Sequence, residues 1–155
     1  MCGLILVFTI LQIVLFLLMT VHDWVHFPPL TNMHALEKSI SKVGRLINSI
    51  FLGFVIFVPL ALTWIYQFRF PWWALIVIVS FYVFLTIGTI VTWWFPYFFG
   101  WTTAHKSFFE AHKNTHHFLP KRGSNVMPNT FHVILHVLLW VCCAIAIYIL
   151  CNYAQ

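Results

Sequence analysis

The chain has 155 residues, of which 62% are hydrophobic and only 7% charged, against about 25% charged and 45–50% apolar in an ordinary soluble domain. With 17 Phe, 8 Trp and 5 Tyr and a mean hydropathy of +0.92, too little polar surface exists to cover a globule in water. A water-soluble body is excluded, and the net charge of +5 does not point to nucleic acid, because the basic residues are not gathered on a soluble face.

About 20 mostly apolar residues cross a hydrocarbon core. In chain order the first stretch that qualifies is Cys2 to His22. It lacks a basic leader and a small-residue cleavage site, so it reads as a retained anchor and not as a secretory signal. After it, Phe27-Pro28-Pro29 forces an extended exit. Thr31 or Asn32 then caps a helix through His34, Leu36, Ile40, Val43 and Ile47, with Lys38, Lys42 and Arg45 on the opposite face. Such a helix is expected to lie flat on the inner leaflet.

The second and third spans are expected at about 46–67 and 72–95, the second kinked at Pro59. In the third, Thr86, Thr89 and Thr92 with Gly88 predict a close helix-packing face. The connection 96–130 begins with Phe98-Phe99-Gly100 and predicts a helix from Thr102 or Thr103 to about His117, ended by Pro120 and Gly123. Asn129 or Thr130 caps the fourth span, at about 131–150. None of the runs alternates as a barrel strand does, so the fold class is all-α: an integral membrane four-helix bundle, with residues 1–155 as one transmembrane domain.

Lys and Arg near helix ends are held on the cytoplasmic side. Lys38, Lys42 and Arg45 fall in the connection 23–45, and Lys106, Lys113, Lys121 and Arg122 in the connection 96–130; the remaining turn has only Arg69. Both connections are therefore expected in the cytoplasm and both termini outside it, with an inner or plasma membrane as the location. Trp64, Tyr66, Trp72 and Trp73 would belt the outer interface, and Trp93, Trp94 and Tyr97 the inner one. Cys2 and Cys151 then lie near the same outer surface, where a disulfide between them is conceivable. With Cys142 and Cys143 they read more simply as small apolar fillers, since no metal-type Cys spacing occurs.

All nine histidines and all three acids, Asp23, Glu37 and Glu110, fall on the cytoplasmic side or in the turns leading to it. His22-x-x-x-His26 and His132-x-x-x-His136 each put two imidazoles on one helical face, about 5–6 Å apart at Cβ, a spacing suited to one metal ion. At 100° per residue, His105, His112 and His116 share a stripe to within about 20°, His117 adjoins it, and Glu110 sits about 140° away. A site rich in imidazole and poor in carboxylate favours a transition metal over Mg or Ca. Asp23 and Glu110 would serve as carboxylate ligands or as acceptors that fix an imidazole tautomer.

The boxes HDWVH, HKNTHH and HVILH resemble the histidine boxes of integral-membrane non-haem diiron enzymes, the fatty-acid desaturase and hydroxylase superfamily. That resemblance implies iron, two ions per chain, held by His22, His26, His112, His116, His117, His132 and His136, with His105 or His34 as an eighth ligand. It further implies an oxygen-dependent oxidoreductase whose lipid-soluble small-molecule substrate enters from the membrane lipid. A soluble cytoplasmic electron donor would dock on Lys106, Lys113, Lys121 and Arg122. The match is partial, since this chain has one adjacent His pair, spaced HxxxHH, and ends on HxxxH.

Two other classes fit the same residues. In an electron-transfer subunit, His22 and His136 would ligate a haem from facing spans. In a noncatalytic accessory or immunity protein the histidines would only sit at the interface. No Gly-rich phosphate loop, GxSxG, HExxH or CxxC occurs, and no charged relay crosses the spans, so nucleotide hydrolysis, serine hydrolysis, zincin proteolysis, thiol redox work and proton pumping have no apparatus.

Overall fold

Along the first helix, α1 (Cys2–Val21), the buried side chains Ile5, Phe8, Gln12 and Leu15 recur every three or four residues, while Leu6, Val7, Ile10 and Leu17 are exposed. That is the spacing of one helical face turned inward, and it carries on past Leu15 through Met19 to His22. The computed structural model of the chain describes residues 2–67, 69–100, 109, 112 and 114–153. The helices that follow are α2 (Met33–Ser39), α3 (Lys42–Ile65), α4 (Trp72–Thr89), α5 (Phe95–Phe99) and α6 (Thr130–Tyr153), with a π-helical turn, Ile90–Trp94, joining α4 to α5. Four of these stretches, Gly3–Val21, Lys42–Ile65, Trp72–Phe99 and Thr130–Asn152, are long and apolar enough to cross a membrane.

The four long helices close into a ring. Helix α1 packs on α3 and on α6, and α4 packs on α6 and on α3. The inward stripe of α6 runs through Leu135, Leu139, Cys142, Ala146 and Ile149, and that of α4 through Ala74, Leu75, Ile78, Tyr82 and Leu85. Across the bundle Phe8 rests on Tyr82, ring centroids 6.0 Å apart. Where α3 meets α1, a Cβ on Gly53 would stand 3.1 Å from the Thr20 methyl, so the absence of a side chain is what lets the two helices approach. Pro59 lies buried inside α3, its carbonyl accepting from the Thr63 hydroxyl at 2.8 Å. Cys142, Cys143 and Cys151 are free thiols.

Several boundaries differ from the sequence expectation. The amphipathic stretch after the first span is two helices: α2, capped by the Asn32 side chain accepting from the Ala35 N–H at 3.1 Å, ends at the extended Ile40, and Ser41 then caps α3. The second span therefore begins at Lys42. Its Arg45, expected on a headgroup face, is 5% exposed and donates to the Asp23 carbonyl at 3.2 Å and to Glu37 at 3.4 Å while lying 5.1 Å above the Trp24 ring. A guanidinium with those partners joins the turn after α1 to α2 and α3.

The third span continues beyond residue 95 to Phe99, where Gly100 ends it with φ at +84°, a conformation that favours glycine. The helix expected to run to about His117 has ended by His112: His112 and Asn114 lie in a turn, and Thr115 to His117 are irregular. Tertiary bonds replace the helical ones there. The His116 N–H donates to the Pro29 carbonyl, and the His116 carbonyl accepts from the Thr130 N–H, each at 2.9 Å. Finally, Gly88 is not at a close-packing contact, since a Cβ there would meet open space.

Candidate functional site

The inward stripes of α1 and α6 end, at the same end of the bundle, in histidines. His22 closes α1, and His132 and His136 open α6, so the stripes that fill the core with apolar side chains deliver three imidazoles to its rim. His112 arrives from the connection. Its ring meets that of His132 edge-on with centroids 4.8 Å apart; His22 lies 5.9 Å from His132, and His136 lies 6.1 Å from it. His132 is thus the hub of four imidazoles brought from three separate parts of the chain.

The rings are held through Nδ1. His22 Nδ1 lies 2.8 Å from the Met19 carbonyl and His117 Nδ1 lies 2.7 Å from the Thr115 carbonyl; a carbonyl only accepts, so both nitrogens donate. His132 Nδ1 lies 2.8 Å from Asn129 Oδ1. The Asn129 amide is oriented by its own partners, because its nitrogen donates to the Leu30 carbonyl at 3.2 Å and to the Thr115 hydroxyl at 3.1 Å, which leaves Oδ1 as the acceptor for the His132 ring and for the His132 backbone N–H at 2.9 Å. Each of these rings consequently carries its lone pair on Nε2 when neutral, as expected of imidazoles that ligate a metal through Nε2. His22 Nε2 faces Asp23 Oδ1 at 3.1 Å, and Asp23 also accepts from Asn48 at 3.3 Å. Two lone-pair atoms at that distance need a proton or a cation between them.

Aromatic rings form the remaining wall. The π-helical turn has the Phe95 N–H reaching the Ile90 carbonyl five residues back, a widening that inserts an extra residue and recurs at functional sites. It sets two consecutive indoles against the histidines: Trp93 lies 4.2 Å from His132 and 5.6 Å from His112, and Trp94 donates its indole N–H to His136 Nδ1 at 3.2 Å. Sequence reasoning placed both tryptophans in an interfacial belt. No local signal in the sequence announces a π turn.

Below the histidines lies a cavity of about 370 Å³, lined by His22, Asp23, His112, His132 and His136 at one end and by Phe51, Leu52, Phe84, Leu85 and Leu139 farther in. Phe51 of α3 and Phe84 of α4 both line it and are 54% and 65% exposed, so it opens sideways between α3 and α4. Gly88, Thr89 and Thr92 line it too, and the missing side chain of Gly88 leaves part of its space. The small-residue face expected to pack against a neighbouring helix borders this opening instead, although Thr89 still accepts from the Trp140 indole of α6 at 3.3 Å.

Of the other expected ligands, His26 is exposed on the turn after α1, His34 is exposed on α2, and His116 is exposed with its Nδ1 2.7 Å from the Thr130 hydroxyl. His105 and Glu110, with Lys106 and Lys113, lie outside the described residues. Among the described residues, no group of three or more His, Cys, Asp or Glu side chains stands ready to hold a metal ion. A single ion would therefore need the rings at the hub to turn their Nε2 atoms toward a common point. Comparison with protein family models, with curated proteins and with solved structures finds no match to this chain.

Proposed function

We propose that the chain is a multi-pass membrane protein whose histidine cluster binds a transition metal at the head of a lipid-facing cavity, and that it acts as an oxygen-dependent oxidoreductase on a lipid-soluble compound. The observation that carries this reading is the meeting of His22, His112 and His132, from α1, the connection and α6, around one hub, two of them with Nδ1 committed to an oxygen acceptor. In a tetrahedral site with metal–nitrogen bonds of about 2.0–2.1 Å, imidazole centres stand on the order of 5 Å apart, which is the scale of the separations here. The ligands are His22, His112 and His132. Asp23, 3.1 Å from the His22 ring, supplies negative charge beside the cation, and Asn129 orients His132. Such a metal would supply Lewis acidity and electron-transfer capacity, and the resemblance to the diiron enzymes names iron as the occupant.

The chain's own residues do the rest. The apolar walls of the cavity accept the hydrocarbon part of a substrate from the bilayer, and Trp93 packs against His112, His132 and His136. By the charge distribution the histidine end faces the cytoplasm, which brings Lys121 and Arg122 to the side where a soluble electron donor would dock. A haem between His22 and His136 is the weaker reading, because His132 touches both rings and Trp93 packs on His132 and His136, so a porphyrin would displace two rings.

Elemental analysis of the purified protein after loading with iron or cobalt(II), alongside an absorbance spectrum, tests the proposal. At least one ion per chain is expected, and affinity should fall about tenfold or more in His132→Ala or His22→Ala. No stoichiometric metal, or unchanged affinity in both variants, overturns it; a Soret band transfers the site to haem.

A further inference from the structure

We infer that His136, although it belongs to the last histidine box, is not a metal ligand but the hydrogen-bond donor that receives the oxygen of an amphipathic, single-chain lipid lying in the cavity between α3 and α4. The inference rests in part on the reading of His22, His112 and His132 as ligands. Its first support is the tautomer. An indole nitrogen can only donate, so the 3.2 Å contact from Trp94 Nε1 makes His136 Nδ1 an acceptor and places the proton of the neutral ring on Nε2. That is the reverse of His22, His117 and His132, whose Nδ1 atoms donate. A neutral imidazole with its proton on Nε2 has no lone pair there for a metal, and its other lone pair is taken by the indole.

The second support is the placement. His136 is buried, and its ring lines the cavity one helical turn beyond His132, toward the apolar floor. An N–H on the wall of this cavity, where the polar rim gives way to the apolar floor, is satisfied by an acceptor oxygen on whatever fills that space. The filling is apolar over most of its length, since Phe51, Leu52, Phe84, Leu85 and Leu139 offer it no polar contact. A cavity of about 370 Å³ has room for about a dozen methylenes if each takes roughly the 30 Å³ share of a liquid water. The lateral opening between α3 and α4 admits one alkyl chain from the lipid phase. An alcohol, carbonyl or carboxyl oxygen near His136 would then sit close to His132 without occupying a ligand position.

Two measurements on the full chain in detergent test this. In the first, cobalt(II) is titrated into the wild type, His136→Gln and His132→Gln. His136→Gln is expected to bind within about threefold of wild type and His132→Gln to lose about tenfold or more; loss in His136→Gln equal to that in His132→Gln overturns the inference. If the wild type itself takes up no cobalt, the metal reading falls, and the second measurement alone decides the role of His136. There, a long-chain alkanol carrying a mid-chain diazirine and the corresponding alkane diazirine are photocrosslinked, and the labelled residues are mapped by mass spectrometry. The alkanol should label Phe51, Phe84 and Leu85. Labelling should fall about three- to tenfold in His136→Phe, the loss of one neutral hydrogen bond, and be largely retained in His136→Gln, which keeps an N–H donor. Equal labelling by alkane and alkanol, or alkanol labelling indifferent to His136→Phe, overturns it. A third variant, Gly88→Leu, should abolish cavity labelling by both probes; persistence of labelling there places the chain elsewhere and overturns the proposed position.

Discussion

Asn129 does more than cap a helix. Its side chain accepts from the backbone and ring of His132 and donates to Leu30 and Thr115, so one amide ties the turn after α1, the connection and the start of α6 together. Asn129→Ala should cost about 1–3 kcal/mol by leaving buried partners unsatisfied, read as a lower melting temperature in detergent. Asn129→Asp, which keeps the acceptor but loses both donated bonds, should fall between; equal melting of all three proteins would remove Asn129 from this role. The sequence marks Asn129 as a cap but not as an anchor, because its partners Leu30 and Thr115 are far along the chain. Arg45 illustrates the same limit. Its salt bridge to Glu37, which is 56% exposed, contributes little, whereas the buried bond to the Asp23 carbonyl and the stacking on Trp24 hold the turn after α1 against α3. Glu37→Gln should change stability by less than about 1 kcal/mol, and Arg45→Ala should cost about 2–4 kcal/mol, both measurable by chemical unfolding.

Between elements, two glycines have opposite roles. Gly53 lies where α3 meets α1, and a Cβ there would stand only 3.1 Å from the Thr20 methyl, whereas Gly88 borders open space. Gly53→Leu should therefore cost about 1–3 kcal/mol through overpacking, while Gly88→Leu should be neutral or stabilising by up to about 1 kcal/mol because it fills a void. Comparing the melting of the two variants checks this, and equal losses would mean that the opening beside Gly88 is closed in solution. Hydropathy alone located the long helices to within a few residues, because apolar length is what lipid demands of a spanning segment. What it missed depends on contacts. The break at Ile40 follows from two Asn and Ser caps in succession, the end of a helix before Thr115 follows from bonds to Pro29 and Thr130, and the π-helical turn at Ile90–Trp94 has no composition of its own. The histidine boxes were legible as patterns. The division between His132, whose Nδ1 donates, and His136, whose Nδ1 accepts, depends on Asn129 and Trp94, and only coordinates display it.

For the molecule as a whole, the positive charge predicts that the histidine end faces the cytoplasm. A reporter active only outside the cytoplasm, fused after Gln155 in a bacterial host, should be active, and one inserted at Gly123 should be silent; the reverse result would invert the orientation. The ring of helices has a further effect on how the chain can be wired. Because α1 begins and α6 finishes at one end of the bundle, and the two are neighbours, a short linker from Tyr153 to Cys2 would join those two helix ends. The exposed bend at Lys121 to Ser124, with Gly123 at φ +55°, offers a place to cut new ones. In such a circular permutant every helix would still cross in its original direction, and the two halves of the His132 hub would then be synthesised in the opposite order.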